Sequence, residues 1–165
     1  MYGDKKLLLI MRHAKSDRTI PDMTDFDRPL NKRGQGEPKI IANNLNKLNL
    51  EIEKAVVSSS QRTVETWNLL KKKLDKPPKV SFEKKLYNAN FQDVIDVLID
   101  EAPQCKGLLI IGHNPSVSEV CEFLTGENHE FRPASLAILS AKDTSLGASL
   151  KKPGHFHLEQ IFSAT

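Results

Sequence analysis

The sequence has few cysteines and few aromatic residues, and each shortage narrows what the protein can be. Its 165 residues include 2 cysteines, Cys105 and Cys121. So few cysteines cannot form a disulfide framework, and this content is typical of proteins in a reducing compartment. Aromatic residues make up 6% of the chain, and no stretch interleaves them with basic residues. Because single-stranded nucleic acids are usually bound on such aromatic and basic surfaces, we expect no nucleic-acid partner.

Long apolar runs are also missing. The longest one is far below the length that crosses a membrane. Near the amino terminus, Asp4 lies among the basic residues, and the apolar run that follows is short and has no cleavage site after it. This is not the layout of a signal peptide. We therefore expect a cytoplasmic protein with no membrane partner.

The overall composition is that of an ordinary globular protein. Hydrophobic residues make up 39% of the chain and charged residues 27%, with a formal net charge of +3. The lysines are scattered, which indicates solvated faces and not a nucleic-acid patch. A chain of this length can bury an ordinary core, so we expect one domain, residues 1–165, acting as a monomer.

The first apolar run ends in an arginine and a histidine. Residues 7–11 are uninterrupted apolar residues, which is typical of a strand buried on both faces, and Arg12 and His13 follow directly. In an open α/β sheet, ligands bind at the carboxyl ends of the strands. Arg12 offers a planar cation suited to phosphate or carboxylate, and His13 can act as a nucleophile or base.

A single Arg-His pair is a weak indication of a functional site. The indication is stronger here because two later strands also lead to an arginine or a histidine. Residues 54–58 lead to Arg62, and residues 107–111 lead to His113. Strands and helices alternate along the chain, so we predict an α/β fold, a three-layer sandwich around a mostly parallel sheet. The sequence therefore predicts that three strands bring together one set of candidate site residues: Arg12, His13, Arg62 and His113.

These residues lie in motifs that resemble those of the histidine phosphatase superfamily, whose fold is that of phosphoglycerate mutase. The small SixA-type protein-phosphohistidine phosphatases are the most similar group. The resemblance covers most of the chain, from Leu7 to about Leu139, and its combination of motifs is specific. The motifs are Arg12-His13-Ala14; Ser58, Arg62 and Thr66; Gly112-His113-Asn114-Pro115; Arg28-Pro29-Leu30 with Gly34; Leu86-Tyr87 with Ala89; and Pro133-Ala134-Ser135-Leu136-Ala137.

The resemblance implies a phosphatase that forms a phosphohistidine on the enzyme. His13 would attack phosphorus in line, while Arg12, Arg62 and His113 would bind the oxygens on which charge accumulates. We expect no metal and no other cofactor, because the arginines supply the positive charge and neither a dinucleotide fingerprint nor a P-loop is present. His155 and His157 alternate on one predicted strand, but no carboxylate or cysteine cluster joins them, and we interpret them as solvated.

One position departs from the family pattern and bears on the substrate. Many members have a glutamate as general acid after the third strand, where this chain has Asn88. Glu83 and Asp93 are near in sequence but do not match the position. An alkoxide leaving group needs a proton, whereas an imidazole is a better leaving group. The sequence therefore favours a phosphatase that acts on phosphohistidine in a protein. The alternatives are a phosphomonoesterase that acts on a small molecule at the same site, and a non-catalytic module that binds phosphate or phosphohistidine.

The connecting segments carry further predictions. Residues 17–29 are polar and read as a loop over the site. A helix follows, starting either after Asn31 or near Glu37. We also predict that Ser116 caps a helix together with Glu119, and that two strands close the fold, separated by a loop. The predicted inner face of the first helix consists of Ile40, Ile41, Leu45 and Leu48.

Overall fold

A computed structural model describes residues 2–103 and 105–165, which form one six-stranded sheet between two layers of helices. The strands are ordered β3-β2-β4-β1-β5-β6 across the sheet. The first four in this order are parallel, and β5 and β6 are added antiparallel. The strands are β1 (Leu7–Arg12), β2 (Lys54–Ser58), β3 (Lys79–Glu83), β4 (Gly107–Gly112), β5 (Leu136–Ala141) and β6 (Phe156–Phe162).

The helices cover both faces of the sheet. Alternate residues of the central strands point to opposite faces, so each strand contributes to two cores. One core packs the sheet against α1 and α2, and the other packs it against α3, α4 and α5. The predicted three-layer α/β sandwich is thereby confirmed. The helices are α1 (Lys32–Leu48), α2 (Gln61–Lys73), α3 (Phe91–Glu101), α4 (Ser116–Thr125) and α5 (Leu146–Leu150), with a 3₁₀ turn at Lys84–Leu86.

Helix α1 takes the earlier of its two predicted starts. Asn31 is its N-cap, and its side chain accepts a hydrogen bond from the Gly34 backbone N–H at 2.8 Å. Gly34 is required because a Cβ there would lie 2.0 Å from the carbonyl oxygen of Lys15. The close approach brings the helix against the residues that follow β1. The predicted inner positions of Ile41 and Leu45 are confirmed, since both are buried. The predicted inner position of Ile40 is wrong, since its side chain is exposed.

Two other local predictions are corrected. Ser116 does not cap α4 in the predicted way: the N-cap is Pro115 without a side-chain bond, and Ser116 Oγ donates to the His113 carbonyl instead. Because Asn90 and Asp93 satisfy each other's backbone N–H groups, the capping box is found at α3. The predicted loop between β5 and β6 contains the short helix α5, capped by Ser145.

The segment of residues 17–29 begins and ends beside the carboxyl end of β1. The Asp17 backbone N–H donates to the Pro29 carbonyl at 2.8 Å, and Ser16 forms an antiparallel bridge with Leu30. The segment is therefore a loop with joined ends beside the carboxyl end of β1. No helix in the two described ranges has the length and apolar composition needed to span a membrane.

Candidate active site

His13 lies directly after β1 and is buried. Its Nδ1 is 2.7 Å from the carbonyl oxygen of Ala14, so Nδ1 carries the hydrogen and Nε2 keeps its lone pair. Burial lowers the pKa of His13 to about 3, and the nearby His113, Arg62 and Arg12 act in the same direction. The imidazole is therefore neutral at neutral pH, with an unprotonated nitrogen available as a nucleophile.

His113 follows β4 and lies beside His13, with 5.3 Å between the ring centroids. Its Nε2 is 2.8 Å from Ser58 Oγ at the end of β2. Burial lowers the pKa of His113 to about 4, with the positive charge of Arg62 as the next cause. His113 is thus also neutral at neutral pH. Its buried Nδ1 has no hydrogen-bond partner among the described residues.

Arg12 and Arg62 are held by backbone carbonyls. Arg12 Nη1 donates to the Phe131 carbonyl at 2.8 Å, and Arg62 Nη1 donates to the Asp25 carbonyl at 2.7 Å. The Nε of each arginine is buried and has no partner within the described part of the chain. A buried donor without a partner costs free energy, and an anion can supply the missing acceptors. Together with His113 Nδ1, the two Nε atoms make this site suited to an oxyanion.

Helix α2 explains why Arg62 and Thr66 are spaced four residues apart. Thr66 lies one turn after Arg62, and its Oγ1 donates to the Arg62 carbonyl at 2.7 Å. The same oxygen accepts a hydrogen bond from the Ala14 backbone N–H at 3.0 Å. Thr66 therefore joins α2 to the segment that carries His13, which fixes Arg62 relative to His13.

Two residues of the site were not identified from the sequence. Asp25, in the loop of residues 17–29, accepts hydrogen bonds from Arg62 Nη2 at 3.1 Å and from the Tyr87 hydroxyl at 2.6 Å. The Tyr87 ring lies 5.7 Å from that of His113, centroid to centroid. The hydrogen bond from Tyr87, followed by those from Arg28 and Arg62, holds the pKa of Asp25 well below its usual range. Both residues lie in or next to recognised motifs, but nothing in the sequence pairs them.

Glu83 and Asp93, the carboxylates near the expected general-acid position in the sequence, form other hydrogen bonds. Glu83 Oε1 accepts from the Lys85 backbone N–H at 3.0 Å, and Asp93 caps α3. The interpretation of both histidines as solvated is correct for His157, which is exposed. It is corrected for His155, which is half-buried and pairs with the Asp143 carboxylate at 3.0 Å. Within residues 2–103 and 105–165, no group of three or more histidines, cysteines and acidic residues could hold a metal ion.

Arg12, His13, Arg62 and His113 therefore lie in one site, at the carboxyl ends of β1, β2 and β4. The arrangement combines a neutral imidazole, two guanidinium groups and a second imidazole. Such a set can attack a phosphoryl group and stabilise the charge on its oxygens.

The comparisons with known proteins agree with this chemistry. The sequence model of the histidine phosphatase superfamily (branch 1) matches residues 8–131. An uncharacterised protein of Mycobacterium leprae is 33% identical over 153 residues, which cover 90% of this chain and 92% of the relative.

Two solved structures illustrate the likeness in fold. The structure of the protein histidine phosphatase SixA complexed with tungstate superposes with a TM-score of 0.80 at 23% identity, covering 96% of this chain and 97% of the other. The mycobacterial glucosyl-3-phosphoglycerate phosphatase superposes with a TM-score of 0.67 at 12% identity, covering 97% and 99% of the two chains.

Proposed function

The chain belongs to the histidine phosphatase superfamily and is a phosphatase, and we propose that it removes the phosphoryl group from phosphohistidine in a protein. One observation carries the proposal. A neutral, buried His13 with an unprotonated Nε2 lies among three unpartnered buried nitrogens, Arg12 Nε, Arg62 Nε and His113 Nδ1. Because the chain is a phosphatase, the alternative of a non-catalytic binding module is set aside.

The proposed reaction has two steps. First, the lone pair of His13 Nε2 forms a bond to phosphorus, the bond to the leaving group breaks, and its electron pair leaves with that group. Arg12, Arg62 and His113 bind the three phosphoryl oxygens as charge builds on them. Second, water attacks the phosphohistidine at position 13, which releases inorganic phosphate and restores the imidazole.

The choice of phosphohistidine as substrate rests on the leaving group. Asn88 cannot supply a proton, and the carboxylates of Glu83 and Asp93 accept hydrogen bonds from backbone N–H groups. A sugar alkoxide needs a proton as it leaves, whereas a protonated imidazole leaves as a neutral molecule. The likeness to SixA supports the same choice. A small-molecule phosphomonoesterase is the second candidate, since the glucosyl-3-phosphoglycerate phosphatase has this fold at lower similarity.

The proposal also covers the cellular compartment, the oligomeric state and the partner of the protein. Cys105 and Cys121 are both buried free thiols, which suits a reducing cytoplasm. We further propose that the protein acts as a monomer. The partner is then the phosphorylated protein itself.

A phosphatase screen tests the proposal. Phosphohistidine in a protein, phosphoserine peptides and sugar phosphates are compared as substrates, and we expect the first to be hydrolysed most efficiently. Enzyme quenched during turnover should carry one phosphoryl group that survives base, is lost in acid and maps to His13. An acid-stable label on Ser58, Ser59 or Ser60, which are the rival nucleophiles at this site, would refute the mechanism while leaving the family unchanged.

A further inference from the structure

Asp25 places a negative charge beside the candidate phosphoryl site. Its Oδ2 contacts Arg62 Nη2 and the Tyr87 hydroxyl, and its Oδ1 accepts from Arg28 Nη2 at 3.0 Å. The loop that carries Asp25 has its two ends joined at the carboxyl end of β1. Asp25 is therefore held from three directions next to the guanidinium of Arg62.

A carboxylate at this position is unfavourable for simple anion binding. The hydrogen bonds from Tyr87, Arg28 and Arg62 hold the pKa of Asp25 well below its usual range, so it is ionised at neutral pH. Like charges repel, and a phosphoryl dianion near Asp25 would lose part of the attraction that Arg62 provides. A site that had to bind any phosphate ester would be better without this charge. The charge is compensated where the substrate brings a cation of its own.

The Asp25 carboxylate also has room for one more hydrogen bond. A carboxylate oxygen can accept two, and within the described part of the chain Oδ1 accepts one, from Arg28. The Asp25 side chain is 52% exposed, so a substrate group can reach it. Oδ1 is thus an open acceptor at the rim of the site.

We propose that Asp25 is the specificity-determining residue that recognises the leaving group, by accepting a hydrogen bond from the N–H of a cationic imidazole. This inference rests on the proposed function and names the residue that selects its substrate class. The imidazole of a phosphohistidine carries the phosphoryl group on one ring nitrogen. When the other ring nitrogen is protonated, the ring is a cation with an N–H donor at its far side, and an ionised carboxylate favours that form.

The proposed hydrogen bond between Asp25 and the leaving imidazole explains how the reaction proceeds without a general acid. His13 Nε2 forms the new N–P bond, the old P–N bond breaks, and its electron pair neutralises the positive charge of the leaving ring. The product is a neutral imidazole that keeps the N–H bonded to Asp25, so no further proton is needed. A sugar phosphate in the same site leaves as an alkoxide, gains nothing from Asp25 and still needs a proton.

The test compares two substrates in one set of variants. A phosphohistidine peptide offers the cationic ring, and p-nitrophenyl phosphate offers a leaving group that needs neither proton nor carboxylate. The variants are Asp25→Asn, which removes the charge but keeps the shape, and Asp25→Glu, which keeps the charge. Asp22→Asn is the matched control: it makes the same change in the same loop, and no hydrogen bond described for the chain involves the Asp22 side chain. Thermal melting checks that each variant folds.

We expect Asp25→Asn to lower kcat/KM for the phosphohistidine peptide about tenfold or more relative to the aryl phosphate, as for the loss of a charge-assisted hydrogen bond. Asp25→Glu should keep more of the preference, and Asp22→Asn all of it. Equal losses on both substrates in Asp25→Asn would overturn the inference and make Asp25 a support for Arg62 only. Unchanged kcat/KM on both substrates would overturn it as well. An unaltered protein that hydrolyses the aryl phosphate but not phosphohistidine would refute the proposed function, and this inference with it.

Discussion

The imidazole of His113 and the hydroxyl of Ser58 lie 2.8 Å apart, Nε2 to Oγ, at the ends of the neighbouring strands β4 and β2. Ser58 is completely buried. When Ser58 donates to Nε2, the single hydrogen of the neutral ring is placed on Nδ1, which is the nitrogen without a partner. In this arrangement Nδ1 is the nitrogen of His113 that can donate to a phosphoryl oxygen.

Replacing Ser58 by alanine should lower kcat about tenfold, in keeping with the loss of one hydrogen bond. Because Ser58 acts through His113, the double variant Ser58→Ala/His113→Ala should be no slower than His113→Ala alone. Steady-state kinetics of the four proteins in this cycle measure the coupling. Additive losses would show that Ser58 does not position His113.

The two histidines of the site should differ sharply on substitution. His13→Ala should abolish turnover, because in the proposed mechanism His13 itself forms the covalent bond to phosphorus. His113→Ala should leave weak activity, reduced by about 10²- to 10³-fold, as for the loss of one charge-stabilising donor. Single-turnover kinetics and the amount of phosphorylated enzyme separate the two cases. Residual phosphorylation in His13→Ala would contradict the assignment.

The free energy of unfolding should fall as the pH is lowered from 6.5 to 5. In the unfolded chain both histidines titrate near pH 6.5, whereas the folded pKa values of His13 and His113 are about 3 and about 4. The unfolded state therefore binds more protons below pH 6.5, and stability is lost by up to about 1.4 kcal/mol per pH unit for each histidine.

Urea unfolding at several pH values measures this dependence on pH. The double variant His13→Asn/His113→Asn should show a shallower slope than the unaltered protein. His157→Asn, at an exposed position on β6, is the control and should leave the slope unchanged. An equal slope in the double variant would mean that other groups cause the dependence.

Two glycines of α1 should respond in opposite ways to alanine. Gly34→Ala should destabilise the protein, because the new Cβ would meet the Lys15 carbonyl oxygen at 2.0 Å and push α1 away from the site. Gly36→Ala meets nothing within 4 Å, and in a helix interior it should stabilise by about 0.5–1 kcal/mol. Thermal or urea unfolding compares the pair. A Gly34→Ala variant as stable as Gly36→Ala would contradict the close approach of α1 to Lys15.

Activity should survive metal chelators. Within residues 2–103 and 105–165 no cluster of metal-binding side chains exists, and Arg12 and Arg62 already bring positive charge to the site. Turnover in EDTA should equal turnover without it. Loss of activity that a divalent cation restores would overturn this expectation.

The sequence by itself determined the class of fold and the end of the sheet where the chemistry lies. Buried parallel strands read as continuous apolar runs, and the residues just after them must lie at their carboxyl ends, which is why Arg12, His13, Arg62 and His113 could be grouped in advance. The superfamily resemblance rests on these same residues, and the comparisons confirm it. Such inferences succeed because they depend on local periodicity and on position relative to a strand.

Only the tertiary structure decided which side chains meet across the site. The partners Asp25 and Tyr87 are separated by 62 residues in the sequence, and Ser58 and His113 by 55. Local sequence patterns do not predict contacts between residues so far apart in the chain. The exposed position of Ile40 and the absence of a Ser116 cap have the same origin. Periodicity and propensity describe an isolated helix, whereas the packing of α1 and the carbonyl of His113 set the final contacts.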